Sequence, residues 1–168
     1  MPRDLQVSDS VVITADALTI YDQVADPTQM PRWSPENTGA TTTAQGPLAE
    51  GAVFDGRNRR GRASWSTECV VTAAEPGRRF AFDVRKIGPG KPLLPGRIAS
   101  WEYAFEAVDG GTRVTETWTD HRTGWPDWAA AAFDKVATGG KLFCDFQRRN
   151  IARTLAAMKA DLESPAHD

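Results

Sequence analysis

The sequence predicts an α+β fold in which a seven-stranded antiparallel sheet packs against one long C-terminal helix, with two short helices after the first strand. Three observations predict it. Residues 5–13 and most of 38–121 alternate apolar and polar positions with a period of two, in runs of strand length. Short clusters of Gly, Pro and Asp separate those runs, as in a meander. After His121 the apolar spacing changes to three and four, and holds through Leu162.

In residues 5–13 the positions Leu5, Val7, Asp9, Val11 and Ile13 share one mostly apolar face. Asp16 can cap a short helix with Ala17, Ile20, Tyr21 and Val24 on its inner side. Asp26-Pro27 starts a second one, with Asp as N-cap and Pro at the first helical position, and Pro31 and Pro35 close it. Six strands follow, with turns at 47–51, Gly61, Glu75-Pro76-Gly77, 88–96 and Asp109-Gly110-Gly111. Alternation puts Trp65, Thr67, Cys69 and Val71 inward, then Phe80, Phe82 and Val84, then Trp101, Tyr103 and Phe105, then Val114, Glu116 and Trp118. Trp125-Pro126 leads into an Ala-rich stretch that Gly139-Gly140 interrupts. The long helix then runs from about Lys141 to about Leu162, with a stripe of Phe143, Phe146, Ile151, Leu155, Met158 and Leu162, and Gln147 and Asn150 beside it. At about 30 Å such a helix can lie across the whole sheet. A single domain over 1–163 with a flexible tail at 164–168 is expected.

Composition narrows the partners. A net charge of -2, with acidic and basic residues nearly balanced, gives no global reason to expect nucleic acid or an anionic membrane as partner. The local cluster Arg57, Arg59, Arg60 and Arg62 reads as a solvated sheet edge or hairpin tip. The longest apolar run, 128–133, is far short of the roughly 20 residues that cross a bilayer, so no integral membrane association is expected. Two cysteines and an N-terminus without an apolar stretch point to a reducing cytoplasm. With two histidines and no Cys or His cluster, no metal is expected, and no cofactor motif is present.

The order of elements, with Ile13-Thr14-Ala15, Val24-Ala25-Asp26-Pro27, Met30-Pro31-Arg32-Trp33-Ser34-Pro35, Gly56-Arg57-Asn58-Arg59, Glu75-Pro76-Gly77-Arg78-Arg79-Phe80 and Gly111-Thr112-Arg113-Val114-Thr115-Glu116, resembles the SRPBCC superfamily. This is the START and birch-pollen-allergen group, and the chain is most similar to its bacterial polyketide cyclase/dehydrase-like members. The resemblance spans nearly the whole chain and implies the helix-grip fold, a curved sheet wrapped around the C-terminal helix. Its members include enzymes, carriers of lipids and other ligands, and stress proteins, so the fold leaves function open.

A sheet curved around one helix leaves a cavity between them, and the inward lists are rich in aromatics. Trp65, Phe80, Phe82, Trp101, Phe105 and Trp118 on the sheet, with Phe143 and Phe146 on the helix, suit a small apolar or aromatic molecule or an acyl chain; alternatively these rings fill the space. Trp33 and the 88–96 loop, with Leu93-Leu94, are placed near the mouth.

Among polar residues, Glu116 points inward between Val114 and Trp118, where an unpaired carboxylate costs several kcal/mol or takes up a proton. It is either a proton-transfer group or ligand anchor, with Tyr103 beside it, or a structural Glu held by an arginine, Asn58 or Tyr103. Asn58 can orient a polar ligand end or bond a neighbouring backbone group. Asp120 and His121 are assigned to the surface, and Cys69 and Cys144 to small buried hydrophobes. Three functions remain: a carrier or sensor of an apolar metabolite; an aromatase/cyclase-type enzyme using Glu116 and Tyr103, implied by the resemblance; and a protein-interaction or toxin-like module using Trp125 and Trp128, unless these pack under the start of the final helix. Either a monomer or a homodimer fits.

Overall fold

The computed structural model describes residues 3–165; of the expected tail, residues 166–168 lie outside the described residues. The elements run β1 (Gln6–Ile13), α1 (Ala17–Val24), a 3-10 helix (Pro27–Arg32), β2 (Asn37–Thr42), β3 (Val53–Arg60), β4 (Ala63–Glu75), β5 (Arg79–Gly88), β6 (Leu94–Val108), β7 (Gly111–Asp120), α2 (Asp127–Thr138) and α3 (Phe143–Leu162). All seven strands form one antiparallel sheet in the order β1-β7-β6-β5-β4-β3-β2. Hairpins join β2 through β7, and β1 closes the far edge by pairing with β7.

Local chemistry starts the helices. Asp16 accepts from Thr19 N at 3.0 Å and Asp26 from Thr28 N at 3.0 Å, each satisfying an orphan donor of the first turn. The second short helix differs from expectation: it is 3-10, and Pro31 lies inside it rather than closing it. In this tight turn the N–H groups of Trp33 and Ser34 both reach Met30 O, which caps the segment at Trp33, two residues past Pro31. The expected 88–96 loop is also shorter, because β6 already begins at Leu94.

Alternation and register together build the inner face. Cross-strand partners Phe82, Trp101 and Trp118 make one row, and Phe80, Tyr103 and Glu116 the next. Register shifts between Glu68 and Cys69, Val71 and Ala73, and Val84 and Lys86 mark bulges, which bend the sheet toward α3. Helix α3 presses Cys144, Ile151, Leu155 and Met158 against that concave side, with Asn150 and Thr154 also buried. Val71, Phe80, Val114, Ile151 and Met158 are at most 1% exposed, so the core lies under the middle of the helix.

Candidate functional site

The site grows out of the β6–β7 register. Because Tyr103 stands opposite Glu116 on the concave face, its hydroxyl donates to Glu116 Oε1 at 2.8 Å. Both residues are only 2% exposed. Burial pushes the Glu116 carboxyl up to about 8, against the opposing pull of the Tyr103 hydrogen bond. The Tyr103 phenol lies well above its ordinary value, through burial first and the neighbouring Glu116 second. At neutral pH the pair is therefore a phenol bonded to a neutral carboxylic acid. The other carboxyl oxygen, Oε2, is buried and has no hydrogen-bond partner among the described residues.

Glu116 lines a cavity of about 100 Å³ between the sheet, the 3-10 segment and α3. Phe80, Phe82, Trp101 and Met30 form its apolar walls, with Asn58 and Thr154 among its polar ones. Glu36, Asn58 and Trp101 also face a second, outer compartment of about 340 Å³. There Trp65, Trp118 and Phe143 supply aromatic surface and Gln147 an amide oxygen that is buried without a hydrogen-bond partner among the described residues. Glu36 is fixed where the two spaces meet: it accepts from Arg60 Nε at 2.8 Å and from Asn150 Nδ2 at 2.9 Å, tying β3 to α3.

Of the residues singled out in the sequence, Glu116, Tyr103, Asn58, Phe80, Phe82 and Trp101 line the inner space, and Trp65, Trp118 and Phe143 the outer one. Three belong elsewhere. Trp33 is not at a mouth: its ring is 3% exposed and Nε1 donates to Asp161 Oδ2 at 2.8 Å, docking the 3-10 segment on α3. Phe105 packs edge-on against Tyr21 under α1, with ring centroids 5.8 Å apart. Phe146 lies beneath the Arg60 guanidinium, 3.5 Å from ring centroid to Cζ. Arg60 thus turns inward, whereas Arg57, Arg59 and Arg62 of the same cluster are exposed.

Asp120 requires a correction. Far from facing solvent, it is 2% exposed and accepts from Arg122 Nε at 2.9 Å and Nη2 at 2.7 Å, while Arg122 Nη1 donates to Asp134 Oδ1 at 2.8 Å. Burial acts to raise its carboxyl, but the Arg122 hydrogen bonds prevail and hold it below the ordinary carboxylate range. The reason is a pair of arginines with buried side chains that close over it, Arg122 and Arg3, the latter with Nε 3.5 Å from Asp120 Oδ2; α2 supplies the buried Asp134 that holds Arg122 in place. Asp134 also accepts from Phe143 N at 3.0 Å, at the first turn of α3. His121 faces away from this cluster and meets Ser100 Oγ at 2.9 Å. Trp128 is 77% exposed and does not pack under α3; Trp125 packs edge-on with Phe133, and Phe133 in turn with Phe143. Cys69 is buried, and burial pushes its thiol up to about 12, which leaves it without thiolate character. Among the described residues no group of three or more His, Cys, Asp or Glu side chains could hold a metal ion.

Comparison with known proteins fits this geometry. The family described as "Polyketide cyclase / dehydrase and lipid transport" matches residues 4–163. The chain belongs to that family. Among solved structures it is similar to the Polyketide_cyc-like protein Cgl2372 from Corynebacterium glutamicum, at 28% identity over 97% of this chain and 94% of that one, with a TM-score of 0.58. Protein Ms6760 from Mycobacterium smegmatis shares the fold at 19% identity, covering 97% and 93% of the two chains, with a TM-score of 0.66. Protein CV1439 from Chromobacterium violaceum does so at 10% identity, covering 96% and 100%, with a TM-score of 0.66. No curated protein matches the chain. As a family member with a sheet curved over a long C-terminal helix, it has the helix-grip fold that its order of elements implied.

Proposed function

We propose that this family member binds a small hydrophobic molecule non-covalently between sheet and α3, and anchors a hydrogen-bond-accepting end of it on Glu116. The observation that supports this most is Glu116 Oε2, buried without a hydrogen-bond partner among the described residues, on a residue that lines a cavity with mainly apolar walls. A buried oxygen without a partner is costly in an empty protein. As a neutral acid it offers one O–H donor, and a ligand carbonyl supplies the missing acceptor. The inner compartment accommodates a single ring or a short chain, and the outer one a larger apolar body held by Trp65, Trp101 and Trp118.

Titration with a fluorescent naphthyl ketone tests this reading. The wild type should bind the probe with blue-shifted emission. Glu116→Gln, whose amide still donates, should stay within a few fold, and Glu116→Leu should lose about tenfold, the worth of one hydrogen bond. Equal binding by the Leu variant would remove the anchor.

A cyclase or dehydrase activity is the second reading, favoured by a carboxyl near 8 that can act as a general acid at physiological pH. It ranks second because proton transfer in both directions needs another free group. Glu36, the other carboxylate bordering the inner space, is already engaged by Arg60 and Asn150.

A further inference from the structure

One end of the molecule has a charge and surface unlike the rest. Three segments converge there around the outer compartment: the β3–β4 hairpin through Arg60, Ala63 and Trp65, the base of the β5–β6 hairpin through Ile87 and Ile98, and the end of α2 through Ala137. Arg60 Nη1 donates to Ala137 O at 3.1 Å, and Ser66 Oγ to Gly90 O at 3.0 Å, so the three are joined directly. Residues 59–65, 85–97 and 135–142 hold nine of the chain's 20 Lys and Arg and none of its 22 Asp and Glu. Arg60, Lys86 and Arg97 are paired with Glu36, Glu68 and Asp83 from outside these segments. The other six, Arg59, Arg62, Arg85, Lys91, Lys135 and Lys141, are exposed. In a chain of net charge -2 this end is strongly cationic and the remainder acidic.

The same segments expose aliphatic side chains: Leu93 is 74% exposed, Leu94 64% and Val136 87%. We infer that this end docks on an anionic lipid bilayer, with the cations among the headgroups and Leu93, Leu94 and Val136 entering the acyl boundary. Basic residues near an anionic leaflet each strengthen binding by about fivefold, and aliphatic side chains add burial that neither phosphate binding nor solvation would use. A nucleic acid would instead call for exposed stacking rings; the one aromatic in these segments, Trp65, is half-buried on the cavity side. Docking here sets the outer compartment against the membrane, yet it stands on the charge and the aliphatic rim and not on what the cavity holds.

Co-sedimentation with vesicles of phosphatidylcholine alone and of phosphatidylcholine with phosphatidylglycerol tests this, using wild type, R59E/R62E, L93D/L94D and E116L. Wild type should pellet with the anionic vesicles only and be released by salt. Each double variant should lose at least about tenfold in partitioning with its melting curve unchanged, while E116L, which gives up the cavity anchor, should pellet with the vesicles as wild type does. Failure to pellet at low salt, equal binding to neutral vesicles, or double variants that bind like wild type would overturn the inference. So would tighter binding to single-stranded DNA than to vesicles, or a concentration-dependent dimer abolished by L93D/L94D, which would make the surface a self-interface.

Discussion

At the scale of single residues, Glu116 governs the behaviour of the site. Its carboxyl titrates near 8 in the folded chain against an ordinary value of 4.5, so between these values the native state holds a proton that the unfolded state has released. Stability of the free protein should therefore fall as pH rises from about 4.5 to about 8, by up to a few kcal/mol. Glu116→Gln should abolish that component, which urea titrations of both proteins across this range will show. Ligand binding through the acid's donor should weaken as the carboxyl ionises above about 8. Tyr103→Phe removes the bond that opposes burial, so it should raise the Glu116 titration further and cost about 1 kcal/mol; the carboxyl signal in a carbon-NMR pH titration reports the shift. The inward parity of Glu116 was legible from Val114 and Trp118 alone. The partners of Glu36 and Asp134 were not, because they lie on elements whose docking no local pattern encodes: Asn150 is 114 residues from Glu36, and α2 had to be placed before Asp134 could meet Arg122.

Among the elements, α2 depends most on one interaction. Only Ala130 and Asp134 of its residues are buried, and Asp134 joins it both to Arg122 after β7 and to the start of α3. Asp134→Ala leaves the buried Arg122 with half its partners, and unfolding by urea should show a loss of about 3–5 kcal/mol. Amide exchange should quicken first in α2. The β6–β7 hairpin is equally specific. Gly111 has φ +144°, and a Cβ there would stand 2.0 Å from Ile13 O, so Gly111→Ala should cost at least about 1–3 kcal/mol by forcing β1 from β7. The meander of β2 to β7, the starts of the two short helices and most inward faces followed from alternation and turn residues, whereas the pairing of β1 with β7 did not. Of the departures, Trp33 is drawn onto Asp161 by a contact with α3 that a local pattern does not record, and the segment before it is 3-10 in place of an α-helical turn.

For the whole molecule, the curved sheet and α3 leave two neighbouring spaces that share Glu36, Asn58 and Trp101, with an acid lining the inner one and Trp65, Trp118 and Phe143 the outer one. The sequence disclosed that the inner face was aromatic. It did not disclose whether the rings filled the space, since a cavity of about 100 Å³ is a small difference between large packed volumes. The central claim is that an apolar ligand occupies this space and bonds to Glu116. Native mass spectrometry of protein purified without detergent, with extraction of bound compounds, tests it most directly. A small molecule should accompany the wild type, be depleted in Glu116→Leu and be retained in Glu116→Gln. A wild type that stays empty and takes up no apolar compound at saturating concentration would contradict it.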